Sequence, residues 1–347
     1  MLRLTEVRSR HSAAAGCDAL YEVAHERIGV VGFIALHELA NGPGVGGIRR
    51  LPYPSERAAV QDAVLLAEQM TLKTALAGLP AGGAKAVVID RPGLDLAVAY
   101  GAIGDAIEAL DGQYFCGADL GTSEAELAYV RQRTTHVNLA ANEPADSTAA
   151  GVLYAIDAAL RHCGIAAAGT RAMVQGVGSI GSRIAAGLVA RGAVVAISDI
   201  LPDRIAALHA QLPGVAVVPP AEDLLTDAVL LSPCAVGQVV TAARVPQLRC
   251  KLIVGAANNQ LDAPCLGEHL AEAGILYVPD FAVNAGAVIE GVMTRMAAPG
   301  EDVRPRIDAA IAAIGERTGS ILAEASESGW TPLEVALSRV DRPRPVC

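Results

Sequence analysis

The amino-acid sequence predicts an α/β protein of two domains, the second of which is built on a doubly wound parallel sheet. The chain has 347 residues, a length that suits about two domains of ordinary size. Hydrophobic residues make up 52% of it, enough for large cores. Short apolar runs alternate with helical patterns, which is typical of a parallel sheet covered by helices on both faces.

We expect the first domain to span residues 1–140. The turn-rich segment 41–47, with the sequence NGPGVGG, is expected to interrupt its strands. A helix is predicted from Ser55, a suitable N-cap after a proline, to about Lys73. The predicted strands of this domain are the short apolar runs 28–36, 85–89, 113–117 and 135–139.

We expect the second domain to span residues 141–325 and to begin with a linking helix near Ser147. A helix over 182–192 follows a glycine-rich turn. Two last helices, at about 303–325 and 332–340, are expected to return toward the first domain, so residues 326–347 are assigned to it. The predicted strands of the second domain are 170–175, 193–198, 214–218, 228–233, 251–256 and 274–279.

Composition excludes several functional classes. The net charge of −10 argues against nucleic acid as a partner, because phosphate binding requires a basic surface. No apolar stretch is long enough for a membrane span, and the charged segment 1–16 does not resemble a signal peptide, so we expect a cytoplasmic protein. The seven cysteines and seven histidines show no metal-ligand spacing; we expect reduced thiols and no metal site.

A glycine motif predicts dinucleotide binding. Gly176, Gly178 and Gly181 follow a predicted strand and open a predicted helix, so that the backbone can approach a pyrophosphate at the helix N-terminus. Asp199 lies 23 residues after the first glycine, where a carboxylate binds the ribose hydroxyls and repels a 2′-phosphate. We therefore expect a Rossmann-type domain that binds NAD, with contacts from the intervening Val177, Ser179 and Ile180 and from Ile200. The alternative is a glycine turn in another kind of α/β domain.

Two lysines form a candidate catalytic pair. The chain has three lysines among 27 basic residues, and two of them, Lys73 and Lys85, flank one glycine-rich segment. Lysine, unlike arginine, loses its proton when it is desolvated or placed beside another cation. One lysine can therefore bind a carboxylate while the other acts as a base. Asp119, directly after a predicted strand, is a candidate proton relay. The alternatives are two solvated surface lysines and an aspartate that caps a turn.

Ordered sequence blocks give a resemblance to a known family. The segments around Lys73, Lys85 and Asp119 resemble the active-site segments of the leucine/phenylalanine/valine amino acid dehydrogenases, relatives of glutamate dehydrogenase. Further blocks follow in the family's order and cover nearly the whole chain: GPGVGG (42–47), STAAGV (147–152), VQGVGSIG (174–181), SPCAVG (232–237), GAANNQL (255–261) and VNAGAVI (283–289).

The resemblance implies oxidative deamination of an L-amino acid to a 2-oxo acid and ammonia with NAD, in a cleft between the two domains. Lys73 would bind the substrate carboxylate with the backbone of Gly46 and Gly47, Lys85 would be the general base, and Asp119 would exchange protons with the amine. Asn259 would lie beside substrate and nicotinamide. The remaining implied cofactor contacts are Thr148 and Asn284, which would hold the carboxamide, and Cys234, Ala235, Ala256 and Asn258.

The resemblance also points to the substrate side chain. The implied pocket residues are Val45, Gly117, Val288 and Gly291. Leucine-specific relatives are bulkier at several of these positions, and aromatic-specific relatives share the glycine at position 117. An enlarged pocket without a charged residue favours a bulky apolar substrate such as Phe, Trp or Leu over glutamate.

Three residues depart from the family pattern without removing a catalytic group: Thr74, Ala84 and Ala118. Branched-chain specificity, another two-domain NAD(P) oxidoreductase acting on folate or hydroxy acids, and a catalytically weak NAD-binding regulator are the alternatives. Because the family members are homo-oligomers, we expect a dimer or larger assembly.

Overall fold

A computed structural model describes residues 1–137, 144–235, 237–343 and 345. The chain forms two compact units, one made of residues 1–141 and 291–298 and the other of residues 142–290 and 299–347. Among the described residues, no helix combines the length and apolar character that crossing a membrane requires.

The first unit is built on a six-stranded mixed sheet in the order β1-β2-β3-β5-β4-β6. Neighbouring strands are antiparallel from β1 to β5, whereas β4 runs parallel to both β5 and β6. Its strands and helices are β1 (Leu2–Glu6), β2 (Ala19–His25), β3 (Gly29–Glu38), β4 (Gly44–Leu51), α1 (Glu56–Leu76), β5 (Gly82–Ile89), α2 (Leu96–Ala109), β6 (Tyr114–Ala118) and α3 (Glu124–Arg131).

Helices cover both faces of this sheet. Helix α1 begins after Ser55, whose side chain accepts the backbone N–H of Ala58, so the predicted N-cap is confirmed. It packs against one face of the sheet, at β3 and β5. Helices α2 and α3 pack together over the core on the other face, which includes Tyr100 and Leu127. The end of α1 and the edge formed by β4, β5 and β6 are thereby held next to each other.

Residues 41–43 of the glycine-rich segment form the expected turn, whereas residues 44–47 are strand, contrary to our expectation. β4 begins at Gly44 and lies between β5 and β6. A Cβ at Gly46 would lie 1.8 Å from the carbonyl oxygen of Ala84. These glycines therefore allow close packing of neighbouring strands. In the predicted strand 135–139, Val137 forms a parallel bridge with Cys116, and positions 138 and 139 lie outside the described residues.

The second unit contains a six-stranded sheet in the order β12-β11-β10-β7-β8-β9, and every pair in it is parallel. The elements are α4 (Pro144–His162), β7 (Arg171–Gln175), α5 (Ser179–Ala190), β8 (Val194–Ser198), α6 (Pro202–Gln211), β9 (Ala216–Val217), β10 (Leu230–Pro233), β11 (Leu252–Ile253), α7 (Leu266–Glu272), β12 (Leu276–Tyr277), α8 (Asp280–Val283), α9 (Gly286–Met296), α10 (Arg304–Ser328) and α11 (Pro332–Ser338).

Six strands are present where the sequence predicted them, and the mixed α/β class with one all-parallel sheet is confirmed. Helix α5 begins at Ser179, immediately after the second glycine of the turn. The last two helices differ from expectation in their packing, because α10 packs on α4, and α11 packs on α10 and β12. The apolar residues Leu333 and Val335 of α11 are buried there, so residues 299–347 belong to the second unit.

Candidate active site

Both predicted lysines are buried in the first unit. Lys73 lies in the last turn of α1 and Lys85 lies in β5, the strand against which α1 packs. Their exposed fractions are 6% and 5%, which excludes the alternative of two solvated surface lysines. Burial of an ammonium group is costly unless it is compensated, so these positions require nearby polar partners.

A shared carboxylate compensates Lys85. Its Nζ lies 2.7 Å from Oδ2 of Asp119, which follows directly after β6. The same oxygen accepts a hydrogen bond of 2.9 Å from Nε of Arg49, in β4. Arg49 also lies 3.6 Å from Asp62 of α1, whose carboxylate accepts from the Tyr53 hydroxyl at 2.5 Å. Two cations and two carboxylates thus alternate across the end of the sheet.

This arrangement shifts the pKa values of both members of the pair. Burial lowers the pKa of Lys85 from its ordinary value; Asp119 opposes this shift and Arg49 adds to it. Burial raises the pKa of Asp119, but the charges of Lys85 and Arg49 outweigh burial and hold it well below its usual range. Asp119 is therefore ionised near neutral pH, and Lys85 is the group in this cluster that can give up a proton.

The pairing between β4 and β5 is interrupted beside Lys85. β4 and β5 pair at Val45 with Gly83 and again at Ile48 with Ala86, but Gly46 and Gly47 have no paired partner in β5. The buried Tyr114 hydroxyl fills this interval, accepting from the Ala86 N–H and donating toward the carbonyls of Gly46 and Gly47 at 3.1 and 3.2 Å. No sequence motif indicated this role for Tyr114.

The predicted side-chain pocket residues are distributed over three elements. Val45 in β4 is buried and Gly117 in β6 is half-buried. Val288 and Gly291 both lie in α9, and the division into units falls between Glu290 and Gly291. Of the three departures from the family pattern, Thr74 donates to helix carbonyls, Ala84 is buried and Ala118 is exposed.

In the second unit, the glycine turn has the geometry that a pyrophosphate requires. Gly176 has φ of +87°, and a Cβ there would lie 2.6 Å from Cβ of Ala235. A Cβ at Gly181 would lie 1.9 Å from the Gly176 carbonyl oxygen. In contrast, a Cβ at Gly178 would meet only the guanidinium of Arg204, at 3.6 Å or more. The first and third glycines permit tight packing, and the second presents open backbone at the start of α5.

Asp199 is fixed at the end of β8 by the turn itself. Its two carboxylate oxygens accept the backbone N–H groups of Val177 and Leu201, each at 2.9 Å. The half-exposed Arg204 lies 3.6 Å from Oδ2, a neighbour that the glycine motif did not indicate. Of the predicted cofactor contacts at the turn, Ser179 and Ile200 are exposed, Ile180 is half-buried and Val177 is buried.

A second polar group lies around Asn284. Its Nδ2 donates to Ala256 O at 3.1 Å and to Asn258 Oδ1 at 2.9 Å. Its own Oδ1 is buried without a hydrogen-bond partner among the described residues. A buried acceptor of this kind suits a ligand that brings an N–H donor, as a carboxamide does.

Asn259 is held in an unusual backbone conformation. Its φ is +51°, and its N–H donates at 2.9 Å to the buried Asp280, which also accepts from Tyr277. Asp280 is a further residue that the motifs did not indicate. The Thr148 hydroxyl donates to Pro144 O and accepts from the Ala287 N–H, and its role toward a carboxamide stays a prediction.

The remaining predicted contacts lie at or near the ends of β10 and β11. Ala256 is buried, and Cys234 is half-buried with its Sγ 3.5 Å from Ser232 Oγ. No cluster of His, Cys, Asp and Glu among the described residues has metal-site geometry. Cys17, Cys116, Cys163, Cys234 and Cys250 are free thiols as expected, but Cys265 is disulfide-bonded, which corrects the expectation of reduced cysteines.

Family models match both halves of the chain. The model described as Glu/Leu/Phe/Val dehydrogenase, dimerisation domain, matches residues 21–136. The model described as Glutamate/Leucine/Phenylalanine/Valine dehydrogenase matches residues 142–201 and 205–297. The chain belongs to the Glu/Leu/Phe/Val dehydrogenase family. It is accordingly an amino acid dehydrogenase of the leucine, phenylalanine, valine and tryptophan type, and such dehydrogenases use a pyridine nucleotide.

Individual relatives are similar over most of the chain. A valine dehydrogenase of Streptomyces albus is 35% identical over 94% of this chain and 92% of its own length. A leucine dehydrogenase of Bacillus cereus is 36% identical over 75% of this chain and 74% of its own. The crystal structure of L-tryptophan dehydrogenase from Nostoc punctiforme superposes with a TM-score of 0.79 at 30% identity, covering 96% of both chains.

Proposed function

We propose that this family member catalyses the reversible, NAD-dependent oxidative deamination of a bulky apolar L-amino acid, such as Phe, Trp or Leu, to the 2-oxo acid and ammonia. The observation that carries the proposal is the buried Lys85 ammonium beside the shared Asp119 carboxylate. A base for this reaction must be largely deprotonated near neutral pH, and burial lowers the pKa of Lys85 in that direction.

The residues of the first unit take complementary parts in the proposal. Lys73 binds the substrate carboxylate together with the backbone of Gly46 and Gly47. Asp119, held ionised, attracts the substrate ammonium group and exchanges protons with the substrate amine and with the leaving ammonia. Deprotonated Lys85 takes a proton from the water that adds to the imino carbon of the oxidised substrate. Lys85 then gives that proton to the substrate nitrogen, which leaves as ammonia, and Lys85 takes up the hydroxyl proton as the carbonyl of the 2-oxo acid forms.

The second unit holds the cofactor in this proposal, and the chemistry supplied by the bound cofactor is acceptance of a hydride. The open backbone at Gly178 and the N-terminus of α5 fit a pyrophosphate, and the Asp199 carboxylate fits a ribose with free hydroxyls. Asn284 Oδ1, which is buried without a partner among the described residues, would accept the carboxamide N–H. These features support NAD.

Branched-chain specificity is the second candidate, supported by the similarity to a valine dehydrogenase over 94% of this chain. Gly117 and Gly291 favour the larger substrates, because each omitted methyl group enlarges the proposed pocket. The alternative of a catalytically weak regulator is opposed by the intact set of Lys73, Lys85 and Asp119. Homo-oligomeric assembly and a cytoplasmic location stay predictions.

The test is NADH formation with a panel of L-amino acids (Leu, Val, Ile, Phe, Trp, Glu and Ala), with NADP measured in parallel. Lys85→Met is expected to bind NADH as the wild type does and to lose about 10²–10⁴-fold in kcat, the usual contribution of general-base catalysis. Lys251→Met, which changes the exposed third lysine of the chain, is the matched control. Unchanged turnover by Lys85→Met would remove this lysine from the mechanism.

A further inference from the structure

Arg49 occupies a central position in the charged cluster of the first unit. It projects from β4, and its side chain is only 15% exposed. Its Nε donates to the same oxygen, Oδ2 of Asp119, that Lys85 contacts. Neither the family segments quoted above nor the lysine argument assigns it a role.

A carboxylate that is shared by two cations binds each of them less firmly than it would bind one. An isolated buried pair of Lys85 and Asp119 would hold its proton tightly, since the carboxylate stabilises the ammonium form. With the guanidinium of Arg49 at 2.9 Å, the charge on Asp119 is already balanced. Arg49 cannot lose its proton in a protein, so any release of charge must come from Lys85.

We propose that Arg49 is the positioning residue that makes Lys85 usable as a base, because it takes up the carboxylate that would otherwise retain the Lys85 proton. The inference rests on the proposed function of Lys85. It deepens that function by naming the group that sets the working pH of the base.

The charged groups that act on Lys85 come from three neighbouring elements. Asp119 at the end of β6 raises its pKa, Arg49 in β4 lowers it, and Asp62 in α1 raises it. Tyr114 in β6 has a pKa raised well above its usual value by burial, and so it stays neutral.

Other titratable side chains lie on the elements packed against β5. His37 of β3 is hydrogen-bonded to Thr71. The others are Glu56, Arg57, Glu68 and Lys73 of α1, Glu38 of β3 and Arg50 of β4. Because Arg49 lowers the pKa of Lys85 and Asp62 raises it, removal of Arg49 and removal of Asp62 should shift this pKa in opposite directions.

The experiment is the pH profile of kcat/KM for deamination in the full-length enzyme, for wild type, Arg49→Gln, Arg49→Lys and Asp62→Asn. In Arg49→Gln, Asp119 stabilises the Lys85 ammonium more strongly, so the acid limb should move upward by about one pH unit or more. Activity should fall at least about tenfold below the limb and return close to the wild-type plateau above it. Arg49→Lys should keep the wild-type limb because it keeps a cation, and Asp62→Asn should move the limb downward.

A role for Arg49 that is only structural would lower the plateau at every pH without moving the limb, and this outcome overturns the proposal. An Arg49→Gln limb at the wild-type pH also overturns it, as does an upward shift in Asp62→Asn. Should Arg49→Gln fail to fold, the limbs of Arg49→Lys and Asp62→Asn still decide. Lys85→Met distinguishes the proposed function from the role of Arg49. If Lys85→Met abolishes turnover while the acid limbs of Arg49→Gln and Asp62→Asn stay at the wild-type pH, the proposed function stands and the role of Arg49 is refuted.

Discussion

The close approach of β4 and β6 beside Asp119 leads to a sharp prediction for Gly47→Ala. Gly47 pairs with Gly117 in the parallel ladder, and its backbone φ lies outside the left-handed region, so alanine is conformationally allowed. However, the new Cβ would lie 2.7 Å from both the Ala118 carbonyl oxygen and Cβ of Asp119. The substitution leaves the backbone N–H of residue 47 in place, so any effect comes from the displaced neighbours.

The magnitude follows from the contact distances. Ordinary van der Waals contacts of a Cβ begin at 3.4 Å, so the end of β6 must move by about 0.7 Å or more. Neither a carbonyl oxygen nor a Cβ can rotate away, so Asp119 moves relative to Lys85 and Arg49. Their contacts of 2.7 and 2.9 Å would then pass the range of a good hydrogen bond. A displacement of about 1 Å typically costs 10²-fold in rate, or roughly 2.7 kcal/mol in the barrier.

The assay is kcat and KM for deamination by NADH absorbance, combined with thermal unfolding. Overpacking is expected to destabilise Gly47→Ala by about 1–3 kcal/mol. Gly101→Ala in α2 is the matched control, since its Cβ meets only the Arg133 side chain at 3.7 Å, an ordinary contact. It should retain activity and gain up to about 1 kcal/mol in helix stability. Wild-type kcat/KM in a folded Gly47→Ala enzyme, or an equal loss in Gly101→Ala, would refute this reasoning.

Three further predictions concern specificity and the cofactor. Gly117→Ala and Gly291→Val should shift the preference of the enzyme from Phe and Trp toward Leu and Val. The ratio of the kcat/KM values should change by about fourfold per added methyl, at roughly 0.8 kcal/mol each. An unchanged ranking would place these glycines outside the pocket. Asn284→Ala should raise the KM for NAD by about 5- to 150-fold, since a bound donor would lose a buried acceptor worth roughly 1–3 kcal/mol. Binding of ADP-ribose should stay unchanged and is the internal control. Arg204→Ala should lower the activity with NADP more than the activity with NAD. The reason is that the Arg204 guanidinium lies 3.6 Å from Asp199 and offsets the repulsion between this carboxylate and a 2′-phosphate. Equal losses with both cofactors would show that Arg204 contacts a group common to NAD and NADP.

Local sequence predicted most of the strands and helices of the second unit, and it singled out the two lysines as candidate catalytic residues. The turn from Gly176 to Gly181 was predictable because tight turns and close backbone approach restrict the residue type at single positions. The lysines stood out because their chemistry differs from that of the arginines used elsewhere in the chain. Strand and helix periodicity likewise depends on neighbouring residues, so the α/β class followed from the sequence.

Tertiary pairing decided the features that link distant segments. Arg49 and Asp119 are 70 positions apart and meet only because β4 runs parallel to β6. The segment from Gly44 to Gly47 looked like a turn because glycine is favoured both by turns and by strands whose neighbours approach closely, and only the position of β4 between β5 and β6 separates these cases. The sequence alone determined which groups can transfer protons in this protein, whereas the fold determined which of them share a carboxylate, because hydrogen bonds and charge interactions depend on distance in space.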